Sequence, residues 1–302
     1  MKGSRIMVEL PYYILDPEKV PEGGLGSDFR ITVYGAYPCD WNGGRKFISR
    51  DAEAMFYDDG GFQKPLVSVE LPEDVLRSYA QRRVVESMRY FNDMGIPFFV
   101  TMSNLYPQAG DKMEEIADFL DELSSVDGNG VIVAHPEIHA RIKDSYGPSL
   151  KYISSVIRFY ADSDFSYGKA FKDFDFVVLK PEDVLTSGGQ VNGRFFKALS
   201  SEQKSRSIII STHPCSRDCA YSRNHYMNTS IDQKHDGDSL SYLQLPVSCN
   251  KTRELELSAD DVNELQHLGM SNFKIGRSRG AQEITMGLFP QVGSLLISRT
   301  LL

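Results

Sequence analysis

Residues 97–134, PFFVTMSNLYPQAGDKMEEIADFLDELSSVDGNGVIVA, contain two short apolar segments with a helical segment between them. Pro97–Thr101 and Gly130–Ala134 are continuous apolar runs of the length expected for buried strands. Between them, residues 112–123 have the spacing of a helix with one apolar side, formed by Met113, Ile116, Phe119 and Leu120. Two strands joined through a helix pair in parallel, because parallel strands need a long crossover connection.

The same alternation continues on both sides of this stretch. Further strands are predicted at residues 30–35, 152–156, 174–179, 207–210 and 272–275, and further helices at 73–92, 136–142 and 259–268. No early G-x-G-x-x-G follows a strand, which disfavours a dinucleotide-binding sheet. The sequence therefore predicts an α/β fold, specifically a TIM-like (β/α) barrel whose strands and helices can depart from the regular pattern. The barrel is expected to form one domain covering residues 1–302.

This reading finds seven of the eight strands that a TIM-like barrel needs. The eighth is expected at Leu66–Val69 or in the C-terminal tail. Polar stretches at 162–168 and 229–241 are expected to be exposed loops, and a polar loop insertion is expected around residues 229–250.

Composition limits the function classes. The chain has 302 residues, 41% hydrophobic and 25% charged, and a net charge of -8 that argues against broad nucleic-acid binding. No run approaches the roughly 20 apolar residues of a membrane span, and the N-terminal residues lack a secretory apolar region. We therefore expect a cytoplasmic protein, in which cysteines serve as metal ligands more readily than as disulfides.

A turn with two cysteines follows the predicted strand at 207–210. The stretch 211–226, STHPCSRDCAYSRNHY, holds Cys215 and Cys219, and their spacing lets both thiolates reach one metal centre if the turn is helical. Nearby positive charge favours the thiolate form that a metal requires. The alternative is a pair of buried structural cysteines, since cysteine also packs as a small hydrophobic side chain.

The other two cysteines follow strands as well. Cys39 comes after the strand at 30–35, and Cys249 lies in the loop after the strand at 207–210. Because the carboxyl ends of barrel strands meet at one rim, we predict that Cys39, Cys215, Cys219 and Cys249 converge on one metal site. Iron–sulfur and zinc both accept four thiolates, and the lack of paired C-x-x-C knuckles favours iron–sulfur.

Several arginines predicted near the same rim suggest an anionic substrate. The predicted substrate-binding residues are four arginines near strand ends, Arg45, Arg158, Arg223 and Arg277. Lys274 alternates with Phe273 and Ile275, so it is expected to point into the barrel, paired with a carboxylate such as Asp175, Glu182 or Glu137. The candidate catalytic residues are His213, His225 and Lys274.

His135 and His139 have the spacing of a metal-binding pair on a helix. Pro136 lies between them, and the preferred interpretation of His139 is a solvated side chain. A peptidase would need a nucleophile with a base, and Cys215 with His213 or His225 could supply one, but no G-x-S-x-G or H-E-x-x-H signature is present.

Several motifs together resemble the U32 family, the collagenase-like peptidases. The similarity is carried by the cysteine turn up to Tyr226, by Cys249, and by LGMSNFKIGRSR at 268–279, with supporting pieces at 34–35, 42–45, 130–136 and 177–183. The resemblance covers about residues 30 to 290. It implies a TIM-like barrel and, in several relatives, a [4Fe-4S] cluster on four cysteines that match Cys215, Cys219, Cys249 and, in part of the family, Cys39.

The resemblance also implies chemistry. Characterised relatives catalyse oxygen-independent hydroxylation, some on RNA and some in ubiquinone synthesis, and some take their oxygen atom from prephenate. The acidic chain, without an appended C-terminal domain, disfavours RNA as the substrate. We expect an iron–sulfur-dependent U32-type enzyme that hydroxylates a small anionic or aromatic molecule, in a complex with a partner protein or as a homo-oligomer. The alternatives are a non-catalytic cluster- or ligand-binding accessory protein and a zinc hydrolase or peptidase.

Overall fold

Eight parallel strands form a closed barrel in the computed structural model of the protein, which confirms the predicted α/β TIM-like barrel. The structure describes residues 5–11, 15–21, 29–37, 39, 73–105, 113–213, 224, 227, 230, 255–276 and 281–296. The barrel strands are β1 (Ile6–Pro11), β2 (Phe29–Gly35), β3 (Phe98–Met102), β4 (Gly130–Val133), β5 (Lys151–Ser154), β6 (Phe176–Val178), β7 (Ser207–Ile210) and β10 (Asn272–Lys274). An antiparallel ribbon of β8 (Thr212–His213) and β9 (Leu255–Glu256) lies between β7 and β10 in sequence.

Helices connect most of these strands, as a parallel sheet requires. The described helices are α1 (Glu73–Asp93), α2 (Glu114–Ser124), α3 (Pro136–Tyr146), α4 (Val156–Ala161), α5 (Tyr167–Asp173), α6 (Pro181–Val184), α7 (Gly193–Ala198), α8 (Ser201–Arg206), α9 (Ala259–His267), α10 (Ala281–Leu288) and α11 (Pro290–Gly293). Short 3-10 turns lie at Pro17–Lys19 and Gly147–Ser149. A search of the described helices finds none with the length and apolar character needed to cross a membrane.

The eighth strand is β1, at the N-terminal end of the described chain. β1 pairs in parallel with β2 on one side and with β10 on the other, and so closes the barrel. The expectation of a strand in the C-terminal tail was wrong for residues 281–296, which form α10, α11 and an isolated bridge at Leu296. The other expected position, Leu66–Val69, lies outside the described residues. The seven predicted strands are all present, with ends shifted by a few residues.

Side chains that alternate along each strand build two separate cores. The inner core fills the barrel and takes residues from seven of the eight strands, together with Val156 of α4: Met7, Tyr34, Phe99, Ile132, Ile153, Val156, Val178 and Ile208. The outer core lies between the strands and the helices and includes residues adjacent in sequence to those of the inner core, such as Val8, Val33 and Ile209. This two-sided burial is why the strands appear in the sequence as continuous apolar runs.

Serine residues fix where several helices begin. The hydroxyl oxygen of Ser155 accepts a hydrogen bond from the backbone N–H of Ile157 and caps α4. Ser200 and Ser258 form capping boxes at α8 and α9, each with the residue three positions later. The cap at Ser155 ends β5 earlier than predicted and places Val156 in a helix, which rotates the residues after it relative to a continued strand.

Candidate functional site

An ion pair lies inside the barrel near the carboxyl ends of β1 and β10. Lys274 Nζ is 2.7 Å from Glu9 Oε1, and the Lys274 side chain is 12% exposed while that of Glu9 is 1% exposed. Glu9 and Lys274 are register partners on neighbouring strands, so both side chains point to the same face of the sheet. The alternation predicted for Lys274 is confirmed, because Phe273 and Ile275 belong to the outer core.

Tyr34 of β2 completes this group. Its ring centroid is 3.4 Å from Lys274 Nζ, a cation–π contact. Its hydroxyl donates a 2.8 Å hydrogen bond to the backbone oxygen of Ile275, just after β10. The tyrosine therefore bridges two strands that both neighbour β1, and it fixes a flat aromatic face beside the ammonium group. We refer to Glu9, Tyr34 and Lys274 as the inner triad.

Two buried oxygen atoms, one within the inner triad and one next to it, have no hydrogen-bond partner among the described residues. They are Glu9 Oε2 and Thr32 Oγ1, and no donor reaches either atom among the residues that the structure describes. Glu9 and Thr32 are register partners on β1 and β2. The barrel interior beside the inner triad thus holds hydrogen-bonding capacity that no described residue uses.

The carboxylate partners predicted for Lys274 were wrong. Asp175 Oδ2 accepts from the backbone N–H of Tyr152, and Glu137 pairs with Arg141 on the outside of α3. Glu182 Oε2 accepts from the Tyr160 hydroxyl at 2.8 Å. The actual partner, Glu9, lies on the strand that the sequence reading missed, so no residue of that strand was available as a candidate.

A second group of polar residues follows β6. Lys180 Nζ lies 3.2 Å from Asp183 Oδ2 and 3.7 Å from Glu182 Oε1, and all three side chains are partly exposed. Tyr167 donates to Asp183 and accepts from the backbone N–H of Lys180, and burial is the main cause that raises its pKa. Tyr160 packs against the inner core, which connects this group with the barrel interior. In the sequence this segment contributes to the family resemblance at 177–183 and supplies Glu182 as one of the partners predicted for Lys274.

His139 is buried rather than solvated, so that expectation was wrong. Its ring stacks on Phe174 with centroids 4.2 Å apart and meets Tyr152 edge to face at 5.4 Å. Burial, helped by the positive charges of Lys143 and Arg158, lowers its pKa to about 4. The buried residues of α3 are Ile138, His139 and Ile142, so the helical period that buries the two isoleucines also buries the histidine.

His135 serves as the N-cap of α3. Its Nδ1 accepts a hydrogen bond from the backbone N–H of Glu137 at 3.2 Å. Burial is the main cause that lowers its pKa, and Arg158 acts in the same direction. Within the described ranges, no cluster of three or more His, Cys, Asp or Glu side chains is arranged to hold a metal ion.

Arg158 is the one predicted substrate-binding arginine that the structure describes, and it lies in the outer layer. Its Cζ is 4.2 Å from the Phe165 ring centroid and 5.4 Å from that of Phe174, both members of the outer core. The cause is local, because α4 begins at Val156 and turns Arg158 away from the face that Val156 shows to the inner core. Arg45, Arg223 and Arg277 lie outside the described residues.

Cys39 is buried just beyond the carboxyl end of β2. It is 1% exposed and belongs to the outer core together with Tyr37, whose ring stacks on Phe119 at 4.1 Å. Burial, followed by the charges of Cys39 and Asp118, raises the pKa of Tyr37 to about 12. Cys215, Cys219, Cys249 and His225 lie outside the described residues, as does the side chain of His213, whose backbone is in β8. The predicted convergence of the four cysteines stays a prediction.

The described residues on either side of Cys215, Cys219 and Cys249 make contacts beyond the carboxyl ends of the barrel strands. β8 and β9 pair as a ribbon directly after β7, and Leu257 N–H donates to Ser211 O at 3.0 Å. Ser230 lies between β8 and β9 in sequence and contacts the residues that follow β3. Its backbone oxygen accepts a hydrogen bond from Asn104 Nδ2, and its hydroxyl oxygen accepts one from the backbone N–H of Leu105, both at 3.0 Å. β7 and β3 stand four places apart in a ring of eight, on opposite sides of the mouth.

Comparison with known proteins supports the fold. No family model matches the sequence, and no curated protein matches it either. The chain is similar in structure to the U32 peptidase Mk0906, with a TM-score of 0.50 and 14% sequence identity, over 92% of this chain and 95% of that chain. At this identity the likeness shows a shared fold, in agreement with the barrel that the sequence predicts.

Proposed function

We propose that the protein is an enzyme that binds a small anionic or aromatic molecule at the carboxyl mouth of the barrel, with Lys274 as its principal contact. The observation that carries the proposal is the inner triad, an ion pair buried in the barrel interior beside a fixed tyrosine ring. A buried ion pair is often no more stable than apolar side chains of the same volume, so stability is a poor reason for its presence. The carboxyl ends of barrel strands are where TIM-barrel active sites lie.

Each member of the inner triad has a distinct part in this proposal. Lys274 supplies a compact positive charge, suited to a carboxylate or another oxyanion. Tyr34 holds the ammonium group over its ring and so fixes the position of the charge that the substrate meets. Glu9 positions the lysine through Oε1, while its free Oε2 and the Thr32 hydroxyl can bond to polar groups of a bound molecule. Lys180 adds a second, more exposed positive charge at the mouth.

We further propose that the enzyme is iron–sulfur-dependent and catalyses oxygen-independent hydroxylation, with a [4Fe-4S] cluster on Cys215, Cys219, Cys249 and Cys39. The cysteine pattern and the family resemblance support this, and the described residues that flank the cysteines lie beyond the carboxyl ends of β7 and β3. When bound, such a cluster would supply one-electron redox chemistry. Cys39 sits among outer-core side chains, where it also fits a buried structural thiol, so its contribution is tested separately.

The cofactor is tested by preparing the full chain without air and measuring iron, acid-labile sulfide and the visible absorption spectrum. We expect about four iron and four sulfide per chain, as a [4Fe-4S] cluster contains. Cys215→Ala, Cys219→Ala and Cys249→Ala should each lose most of both, with circular dichroism unchanged. Retention of iron in Cys39→Ala would assign that thiol to the core. Stoichiometric zinc without sulfide would contradict the iron–sulfur proposal and favour the zinc alternative.

The substrate site is tested by titrating the protein with prephenate and a panel of small aromatic carboxylates in a calorimeter. We expect at least one to bind, and Lys274→Met to weaken it by roughly tenfold or more, since a charge-assisted hydrogen bond is lost. Lys197→Met, which changes an exposed lysine on α7, is the matched control. Equal binding by Lys274→Met and the wild type would show that the inner triad is not part of the substrate site. Binding without turnover by the iron-loaded protein would contradict the enzyme assignment and favour an accessory role.

A further inference from the structure

Arg158 is a buried arginine that leaves hydrogen-bond donors unused. Its Nε and Nη1 atoms are buried and have no hydrogen-bond partner in the described part of the chain. The residue as a whole is 9% exposed. A guanidinium that is removed from water without acceptors is costly, because its N–H groups lose strong hydrogen bonds to solvent. The position therefore calls for an acceptor.

The aromatic rings around Arg158 do not supply that acceptor. Phe165 and Phe174 lie 4.2 and 5.4 Å from Cζ, which gives favourable cation–π contacts with the flat face of the guanidinium. The N–H bonds lie in the plane of that group and point away from its face. The rings thus compensate part of the charge, while the donors at the edge remain available.

Nearby carboxylates act on the charge without bonding to these donors. Asp162 and Asp173 both favour the charged form of Arg158 and oppose the effect of burial, which lowers its pKa. Asp162 Oδ1 instead accepts a 2.9 Å hydrogen bond from the backbone N–H of Asp164. The arginine therefore stays a cation whose edge faces no carboxylate oxygen at hydrogen-bond distance in the ranges that the structure describes.

A second unused polar atom lies close by, on α3. His139 Nε2 is buried without a hydrogen-bond partner, and the residue is 7% exposed. His139 stacks on Phe174, the same ring that Arg158 approaches, and the charge of Arg158 acts on His139 to lower its pKa. Two polar groups from different helices, one of them cationic, thus both lie beside the Phe174 ring without a hydrogen-bond partner among the described residues.

We propose that Arg158 and His139 form a binding site for a small oxyanion, carboxylate or phosphate, in the outer layer between α3, α4 and Phe174. The guanidinium edge binds the anion oxygens, and the imidazole makes the second polar contact. Phe165 and Phe174 form apolar walls that exclude water and strengthen the charge-assisted bonds. The site lies in the outer core, whereas Lys274 lies in the inner core, so the proposal does not depend on the function proposed above.

The test uses the full-length chain in a buffer low in anions, with inorganic phosphate and acetate as separate probes. Binding is followed by calorimetry and by the rise in unfolding temperature with anion concentration. We expect saturable stabilisation by one of the two anions, which identifies the oxyanion class. Arg158→Met should weaken binding by about tenfold to a hundredfold, because hydrogen bonds to a charged donor are lost. His139→Phe, which keeps the ring stack on Phe174, should weaken it by a smaller factor.

Two control variants separate this site from other cationic positions. Arg141→Met changes an exposed arginine on α3, and Lys197→Met changes an exposed lysine on α7, and both should bind the anion as the wild type does. If Arg158→Met does not fold, Arg158→Lys, which keeps the charge without the planar fork, takes its place and should still bind more weakly. Absence of saturable binding by either anion, or equal binding by the Arg158 variants and the wild type, overturns the proposal.

Discussion

Lys274 in the barrel interior and Arg158 in the outer layer are both cationic side chains buried against aromatic rings, yet their surroundings differ. Lys274 has the Glu9 carboxylate at 2.7 Å and Tyr34 beneath it. Arg158 has Phe165 and Phe174 at its face and unused donors at its edge. The charge of Lys274 is thus stabilised by a direct ion pair, whereas that of Arg158 is stabilised by its ring contacts and by carboxylates that do not bond to it. Removing charge should therefore have opposite consequences at the two places.

The largest effect is expected where the paired cation loses its partner. Glu9→Ala leaves Lys274 buried opposite a neutral side chain, which should lower the free energy of unfolding by about 3 to 5 kcal/mol. Urea denaturation measures this. The double variant Glu9→Leu/Lys274→Met removes both charges and should recover much of the loss, since apolar side chains of similar size fill the space. Glu137→Ala, which breaks the exposed pair with Arg141, is the control and should cost less than about 1 kcal/mol.

A Glu9→Ala variant as stable as the wild type would show that the interior ion pair does not contribute to the free energy of unfolding. Lys274 would then have to be reached by water from the mouth, and the difference between the two regions would disappear. A double variant no more stable than Glu9→Ala would show instead that the volume and packing of Glu9 matter more than its charge.

An intermediate effect is expected from His139 when the pH is lowered. Its folded-state pKa is about 4, below the ordinary 6.5, because burial and the charges of Lys143 and Arg158 disfavour the charged ring. The unfolded chain therefore takes up the proton first, and stability present above about pH 6.5 is lost as the pH falls towards 4. The loss should be on the order of 2 to 3 kcal/mol, at about 1.4 kcal/mol per pKa unit.

The measurement compares the wild type with His139→Phe in urea denaturation at pH 7 and pH 4.5. The wild type should lose more stability than the variant over this interval, since Phe has no proton to gain. Other carboxyl and histidine groups, including His135, contribute equally to both proteins and cancel in the difference. Parallel pH curves for the two proteins would mean that the His139 ring is reached by water and that the outer layer is more open than its burial indicates.

Sequence reading predicted the barrel well because both faces of its strands are buried. Strands such as 130–133 and 207–210 stand out as apolar runs, and their order in the chain is also their order around the ring. β1 was missed because Glu9 interrupts its apolar run and Pro11 ends it, two features that argue against a central strand. The buried carboxylate of Glu9 is explained by its partner Lys274 on β10, which is 265 residues away.

The candidate site was harder to predict than the fold. The alternation of side chains along β10 is enough to assign Lys274 to the interior. Its partner could not be predicted, because β10 pairs with the first strand of the barrel and that strand was not recognised in the sequence. The apolar run at 152–156 predicts one strand that would place Arg158 at the mouth, whereas β5 ends at Ser154 and α4 begins at Val156. The N-cap at Ser155 was the signal for a helix there, and the period of α3 was the signal for a buried His139.

The smallest effect is expected at Arg158, where the comparison is sharpest. Arg158→Met keeps a long apolar stem against Phe165 and Phe174 but removes the charge and the unused N–H donors. In a buffer low in anions, the lost cation–π contacts and the relief of burying a charge should nearly cancel. We expect the free energy of unfolding to change by no more than about 1 kcal/mol, in the direction of greater stability if it changes at all. Saturating anion should then stabilise the wild type above the variant, because a ligand that binds only the folded chain adds to its stability. A loss of several kcal/mol in Arg158→Met without anion would show that the outer cation is as firmly tied to the fold as Lys274.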